Sequence, residues 1–222
     1  MKIVLRIGGS IIGAPPKAKL VKEYAHIISK LVLEGHSVGV VVGGGAVARE
    51  YIKAARSLKL SSSQQDLAAI DASRLNASIV SMELGIKGTV PTTISTMVKA
   101  LSKKKVAVMG GLKPGITTDA VATLLAQSWH ANLMIKGSDQ EGIYTADPRK
   151  DKSAKKLSRI THARMREILG VAYKPGVHSI VDPVAVKLLA KSKIKLIVLK
   201  GTNPKSVLMA VHGKKIGTLV SS

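Results

Sequence analysis

Short, continuous apolar runs recur along the chain and limit its possible folds more than any other feature. They occupy residues 3–7, 38–42, 106–109, 133–135 and 194–199. Runs that are apolar throughout, instead of at alternate positions, are typical of strands covered on both faces. We therefore predict a largely parallel sheet whose strands are buried by layers above and below.

Helical patterns fill the segments between these runs. The clearest spans residues 20–32, where apolar residues recur at i, i+3, i+4 and i+7 before Gly35. Further helices are predicted at residues 46–58, 119–129 and 184–191, and Asp182 and Pro183 mark the start of the last one. Another helix is predicted to start near Ser62, because Ser62 to Gln65 has the character of a capping box. Alternating strands and helices predict an α/β fold, a three-layer sandwich with a mainly parallel central sheet, in one unit of residues 1–222.

Composition narrows the class of protein. With 45% apolar residues in 222, the chain can bury a core, and no run approaches the roughly 20 residues that span a bilayer. The absence of cysteine excludes thiolate metal sites and cysteine nucleophiles, and favours a reducing, cytoplasmic location without a membrane partner. The formal charge of +22 exceeds what small phosphate esters require, so non-specific association with nucleic acid stays open.

Three of the predicted strands end directly in glycines, at Gly8-Gly9, Gly43-Gly44-Gly45 and Gly110-Gly111. Because the carboxyl ends of parallel strands share one edge of a sheet, these loops are expected to meet at one crevice. The third loop continues through Thr117 and Thr118 into a helix start, where free N–H groups favour a phosphate. The sequence lacks the phosphate loop that closes with Gly-Lys-Ser/Thr and the spaced dinucleotide fingerprint.

Charged residues follow these loops. Arg6, Arg49 and Arg74 are candidates to clamp phosphate oxygens, because a guanidinium offers a bidentate fork. Three of the scarce acids also stand out: Asp66, Asp119 and Asp147. The six histidines show no metal-ligand spacing and no serine nucleophile elbow is present, so we predict no metal ligands of the protein's own and no hydrolase.

Taken in order, the motifs resemble the amino acid kinase superfamily and, within it, the archaeal type of UMP kinase. The resemblance rests on segments spread over nearly the whole chain: Lys2 to Ser10, Val41 to Tyr51, Ala72 to Ala77, Gly110 to Ala122, Gly142 to Pro148 and Ile180 to Pro183. The Pro114-Gly115-x-Thr117-Thr118-Asp119-Ala120-Val121 loop and the short chain are more similar to UMP kinase than to the longer acetylglutamate, aspartate or carbamate kinases.

This resemblance implies transfer of the γ-phosphoryl group of ATP to UMP, assisted by Mg²⁺, in an acceptor lobe of residues 1–130 and an ATP lobe of residues 131–222. It implies catalytic roles for Arg6, Arg49 and Asp119. The residues implied to hold ATP are Gly9, Ser10, Gly45, Arg49, Ser138, Asp139, Tyr144 and Asp147. The residues implied to hold UMP are Gly44, Asp66, Leu112, Lys113, Pro114, Gly115, Ile116, Thr117 and Thr118. It also implies a homohexamer built from dimers.

The chain departs from the family pattern at three places. Arg6 stands where many relatives have lysine, Lys136-Gly137 interrupts the apolar run of the fourth strand, and Asp139 places an anion where relatives have a neutral amide. An anion beside a triphosphate weakens binding unless a cation offsets it. Two alternatives stay open: another small-substrate kinase of the superfamily, such as an isopentenyl phosphate kinase, and an RNA-associated protein on a kinase scaffold.

Overall fold

The computed structural model describes residues 1–169 and 180–222. Within these ranges the strands are β1 (Lys2–Ile7), β2 (Ser37–Val42), β3 (Val106–Met109), β4 (Leu133–Ser138), β5 (Arg159–Thr161), β6 (Leu196–Lys200) and β7 (Thr218–Ser221). The helices are α1 (Gly9–Ile12), α2 (Ala18–Leu33), α3 (Gly45–Ser57), α4 (Ser62–Glu83), α5 (Ile94–Lys103), α6 (Thr118–Ser128), α7 (His162–Leu169), α8 (Pro183–Ser192) and α9 (Lys205–Val211).

The strands form one sheet in the order β3-β2-β1-β4-β6-β7-β5. Neighbouring strands are parallel except β6 and β7, which are antiparallel. Successive strands lie outward from β1 through β2 to β3, and the chain then returns to β4 on the other side of β1. The order of strands therefore reverses between β1 and β4, and ligands of open α/β sheets bind outside the carboxyl ends of strands at such a point.

Helices cover both faces of the sheet, as the continuous apolar runs predicted. Alternate residues of β1 point to opposite faces: Ile3, Leu5 and Ile7 pack with α2, α4 and α9, whereas Val4 packs with α5, α6 and α8. The predicted three-layer α/β sandwich is confirmed. In the described parts of the chain, no helix is both long enough and apolar enough to cross a membrane.

Two local predictions were wrong by small amounts. Lys136 and Gly137 do not interrupt the fourth strand, because β4 continues through both to Ser138 and all six of its residues are buried. The capping box at the start of α4 is formed by Ser61 and Gln64, one residue earlier than predicted, because the Ser61 hydroxyl accepts a hydrogen bond from the Gln64 N–H. The shift leaves the predicted start of α4 at Ser62.

Candidate active site

Two cations lie side by side at the carboxyl end of the central strands. Arg6 of β1 and Lys136 of β4 are partners in the register of the parallel pair, so their side chains point to the same face of the sheet. That face is covered by α6. Lys136 is 4% exposed, which is rare for a lysine without a charged partner.

Asp119, in the first turn of α6, is the partner of both cations. Its Oδ1 lies 2.7 Å from Arg6 Nε, and its Oδ2 accepts a hydrogen bond from Lys136 Nζ. Burial alone would raise the pKa of Asp119, but the positive charges of Arg6 and Lys136 more than offset it and hold the pKa below its usual value. Asp119 is therefore a buried carboxylate, and two positive charges share its single negative charge.

The pKa of Lys136 is lowered to about 8. Burial is the largest cause and the nearby Arg6 guanidinium adds to it, while Asp119 acts in the opposite direction. The cluster of Arg6, Lys136 and Asp119 therefore carries an excess of positive charge when Lys136 is protonated. Such a cluster favours the arrival of an anion.

The glycine loops after β1 and β2 touch each other beside these cations. A Cβ at Gly9 would lie 2.1 Å from the backbone nitrogen of Gly45, and Gly45 has a positive φ of 63°. Only glycine fits both conditions. The predicted convergence is confirmed for these two loops, which line one cavity. It was wrong for the third loop, because Gly110 and Gly111 pack against Ser73 of α4 and do not line the cavity.

That cavity has a volume of about 460 Å³ and lies at the reversal point between β1 and β4. Its lining comprises Arg6, Gly8, Gly9, Ser10, Gly43, Gly44, Gly45, Arg49, Thr117, Thr118, Asp119, Lys136, Ser138, Asp139, Gln140, Arg149, Ile180 and Asp182. Most of the predicted ATP-binding and catalytic residues are thus brought together. The volume suits a small ligand.

Three helices begin at this cavity. Gly45 opens α3, Thr118 opens α6, and Asp182 caps α8 by accepting hydrogen bonds from the N–H groups of Val184 and Ala185. The Thr117 hydroxyl donates to Asp182 Oδ2 at 2.5 Å and joins the starts of α6 and α8. Helix N-termini carry partial positive charge, so the starts of α3 and α6 add to the attraction for a phosphate, whereas the Asp182 carboxylate already occupies the start of α8.

The loop between β3 and α6 lies next to this cavity and is held by α4. Asp66 Oδ2 accepts a hydrogen bond from the Gly115 N–H at 2.8 Å. Arg74, which the sequence offered as a phosphate clamp, instead donates to the carbonyl oxygens of Gly111 and Leu112. The predicted UMP residues Leu112, Lys113, Pro114, Gly115 and Ile116 are therefore placed by Asp66 and Arg74, and Thr117 and Thr118 reach the cavity itself.

Tyr144 and Asp147 lie outside the lining of this cavity. Tyr144 pairs with Lys156 in an isolated antiparallel bridge, and Asp147 accepts hydrogen bonds from the Arg149 side chain. Arg149 NH1 also lies 3.9 Å from Asp139 Oδ2. The guanidinium that offsets the unusual anion at position 139 thus lies at the cavity as well.

Sequence reasoning missed Lys136, Arg149 and Asp182 as residues of the site. Lys136 carried a visible signal, because a lysine inside a strand that is covered on both faces must find an anionic partner. Arg149 carried none, since in the sequence it is one of five cations in the basic segment 149–156.

The described residues contain no group of three or more histidine, cysteine or acidic side chains that could hold a metal ion. Asp119 is occupied by Arg6 and Lys136, whereas the exposed carboxylate of Asp139 lies at the cavity. This donor set fits Mg²⁺ of the kind that arrives with phosphates and takes one or two protein carboxylates.

A doubly wound sheet with glycine loops, helix N-termini, a buried lysine and a partly buried arginine at its reversal point defines a phosphate-binding α/β protein. The amino acid kinase family model matches residues 1–200, and the chain belongs to that family. It is 40% identical over 228 residues to the uridylate kinase of Methanocaldococcus jannaschii, with 99% of each chain covered. It is 37% identical over 221 residues to that of Hyperthermus butylicus, which covers 99% of this chain and 97% of the relative.

Solved structures agree with this assignment. The crystal structure of uridylate kinase from Archaeoglobus fulgidus superposes with a TM-score of 0.89 at 38% identity and covers 100% of both chains. The UMP kinase of Bacillus anthracis superposes with a TM-score of 0.83 at 18% identity over 99% of this chain and 95% of that one. The second likeness shows a shared fold.

Proposed function

We propose that the chain is an ATP-dependent UMP kinase that converts UMP and ATP to UDP and ADP in pyrimidine nucleotide synthesis in the cytoplasm. The observation that carries the proposal is the Arg6, Lys136 and Asp119 cluster beneath the touching glycine loops. Full-length relatives at 37% to 40% identity carry the name uridylate kinase. Residues 1–130 form the acceptor half and residues 131–222 the ATP half in this proposal.

The chemistry needs little covalent help from the protein. An oxygen of the UMP phosphate forms a bond to the γ-phosphorus of ATP, the bond from that phosphorus to the β,γ-bridging oxygen breaks, and ADP leaves with the electron pair. At neutral pH the attacking phosphate is largely dianionic, so no protein base has to remove a proton. Positioning and neutralisation of charge are the main tasks.

The residues divide these tasks by their chemistry. Arg6 and Lys136 neutralise the transferring phosphoryl group, and Arg49 clamps phosphate oxygens near Gly45. Asp119 positions both cations, since its two oxygens are already occupied by them. Mg²⁺ on the nucleotide phosphates supplies further neutralisation of their charge, and Asp139 is the residue that would hold it.

The ATP and UMP sites follow the same division. The loops of Gly9, Ser10, Gly45 and Ser138 offer polar groups to the triphosphate, with Tyr144 and Asp147 towards the adenosine. Asp66 and the 112–118 loop receive UMP together with Gly44. The Asp66 bond to Gly115 supports an ordering role for that carboxylate before UMP arrives.

The test is ADP release with Mg²⁺ and ATP across UMP, CMP, isopentenyl phosphate, acetylglutamate and carbamate. Activity confined to UMP is expected, and Arg49→Ala is expected to weaken it. Preference for another acceptor would contradict the assignment of UMP as the substrate. No ADP release with any acceptor would contradict the kinase reaction itself.

The pH dependence of the reaction should reveal the protonation of Lys136. Because the Lys136 pKa is about 8 in the free protein, the ammonium is lost as pH rises through 8, and kcat/KM for ATP should fall above that pH. A bound triphosphate raises this pKa, so kcat should fall only at higher pH. Measuring kcat and kcat/KM for ATP from neutral pH to about pH 10 checks both expected falls. The Lys136→Arg variant has a guanidinium that stays charged over this whole range. If its kcat/KM fell at the same pH as that of the parent, Lys136 would not be the group that titrates.

We further propose that the chain assembles into a homo-oligomer, a hexamer on the family pattern. Helix α4 exposes Leu67, Leu75, Ile79 and Met82 at helical spacing along one face, with Leu75 61% and Met82 68% exposed. Exposed apolar stripes of this kind mark association surfaces. Light scattering should give a mass several times the monomer and a lower mass for Leu75→Glu, with Leu58→Glu as the control. A monomeric parent chain would contradict assembly.

A further inference from the structure

Seven lysines lie at the edge of the sheet opposite the cavity, where the strands begin. We call them the edge lysines: Lys2, Lys103, Lys104, Lys105, Lys191, Lys193 and Lys195. All seven are exposed. They lie at or just before the first residues of β1, β3 and β6.

Backbone hydrogen bonds place these lysines in one row. The Lys105 carbonyl oxygen accepts from the Val38 N–H at 2.8 Å, and the Lys2 and Lys195 carbonyls accept from the N–H groups of Asn132 and Met134 at 2.9 Å. The strands concerned are neighbours in the order β3-β2-β1-β4-β6. Five adjacent strands span about 19 Å, so the row is long enough for several phosphates of an extended chain.

Nothing in the described residues neutralises this row. No edge lysine lies within 4.0 Å of a carboxylate in any ion pair of those residues. Glu34, the acid that ends α2 at the same edge, is already bound by His212 at 2.8 Å. The sequence holds no acid from residue 84 to 118 and none after Asp182.

Helix dipoles account for only part of the row. Cations are favoured in the last turn of a helix, which explains Lys103 of α5 and Lys191 of α8. Lys104, Lys105 and Lys195 lie beyond the helices, next to the strands. These surplus charges lie at the opposite edge of the sheet from the cavity, so the proposed reaction does not account for them.

We propose that the edge lysines bind the phosphate backbone of single-stranded nucleic acid. The row offers charge without a surface for base stacking, because Trp129, whose ring centre lies 5.7 Å from Lys2 Nζ, is only 6% exposed. Binding is therefore independent of base sequence and strongly dependent on salt. A lipid surface is a poorer match, since no large apolar side chain is exposed between residues 94 and 134 or between 185 and 200, the segments that hold six of the seven edge lysines, and binding in a bilayer interface needs an apolar face.

Two variants of equal charge test the proposal. One changes Lys103, Lys104, Lys105 and Lys195 to glutamine, and the control changes Lys19, Lys22, Lys53 and Lys205, which are exposed elsewhere. The binding of a fluorescent 20-nucleotide oligouridylate to each full-length chain is measured by anisotropy, from about 50 to 200 mM salt. Both variants should retain the UMP kinase activity of the parent, because neither set touches the cavity.

The edge variant is expected to lose at least about tenfold in affinity at low salt and to reduce the salt slope by about 2 to 3 units, at roughly 0.7 unit for each lost phosphate contact. The control variant should lose much less. Equal losses in the two variants would overturn the proposal, because net charge alone would then explain binding. Stronger retention of the parent chain by anionic lipid vesicles than by the oligonucleotide would also overturn it.

Discussion

Replacing Lys136 with methionine is expected to lower kcat for UMP phosphorylation by about 10²- to 10³-fold, the effect of removing one preorganised group that stabilises developing charge. Lys136 lies beside Arg6 in the register of β1 and β4, and its ammonium shares Asp119 with that arginine. Methionine is of similar length and apolar, so it should fit the buried end of β4. The remaining Arg6 and Asp119 balance one positive against one negative charge, which should leave the fold intact.

Steady-state kinetics should place most of this loss in kcat instead of the KM for UMP, because Lys136 is proposed to act on the transferring phosphoryl group, and Asp66 and residues 112–116 of the proposed UMP site lie outside the cavity lining that contains Lys136. Lys195→Met is the matched control, since it makes the same substitution on the same sheet at the opposite edge. Its kcat should equal that of the parent chain. A Lys136→Met variant that folds normally and turns over at the parental rate would remove Lys136 from the proposed machinery.

The outcome at Lys136 illustrates what the sequence can and cannot predict. Continuous apolar runs predicted the layers and the parallel sheet, because a strand buried on both faces needs apolar residues at successive positions. The same reasoning interpreted Lys136 as an interruption of its strand. A buried charge is tolerated when a partner lies across the fold, and Asp119 is 17 residues away on a helix whose packing no local pattern encodes.

The glycine loops were predictable for a related reason. Gly9 and Gly45 lie so close together that no Cβ fits at either position. Only glycine meets this requirement, so the close approach of the two loops is visible in the sequence as glycine residues. The roles of Asp66 and Arg74 were less accessible. Both bind the backbone of the loop between β3 and α6, and a side chain that orders a distant loop looks the same in sequence as one that binds a ligand. The strands β5 and β7 were missed because neither contains an apolar run of three or more residues, unlike β3, which is equally short but apolar throughout.

Asp119→Asn is expected to destabilise the fold by about 3 to 5 kcal/mol at neutral pH, the usual effect of removing one partner from a buried ion pair. The substitution leaves the buried Lys136 next to the partly buried Arg6, and both lose their shared anion. Activity should fall as well, because Asp119 no longer holds the two cations in place. Urea denaturation measures the free energy of unfolding, and its midpoint should drop while the m-value stays constant.

The pH dependence of this loss has a definite sign. In the parent chain the Lys136 pKa of about 8 is already below that of an unfolded lysine, and removing the Asp119 charge lowers it further. Consider the pH range between the Lys136 pKa of the folded variant and that of the folded parent. In this range the folded variant has released a proton that its unfolded state still binds, so the stability of the variant rises with pH, by up to about 1.4 kcal/mol per pH unit. The stability of the parent does not change with pH in the same range, because Lys136 is protonated in both of its states. The stability gap should therefore narrow from neutral pH to pH 8.

The double variant Asp119→Asn with Lys136→Met separates the loss of a partner from a general packing defect. It contains no buried lysine to desolvate, so it should be more stable than Asp119→Asn alone even though it carries one more substitution. A double variant that is less stable by the sum of the two single effects would show that Asp119 and Lys136 act independently, and the shared-anion account of the site would then fail.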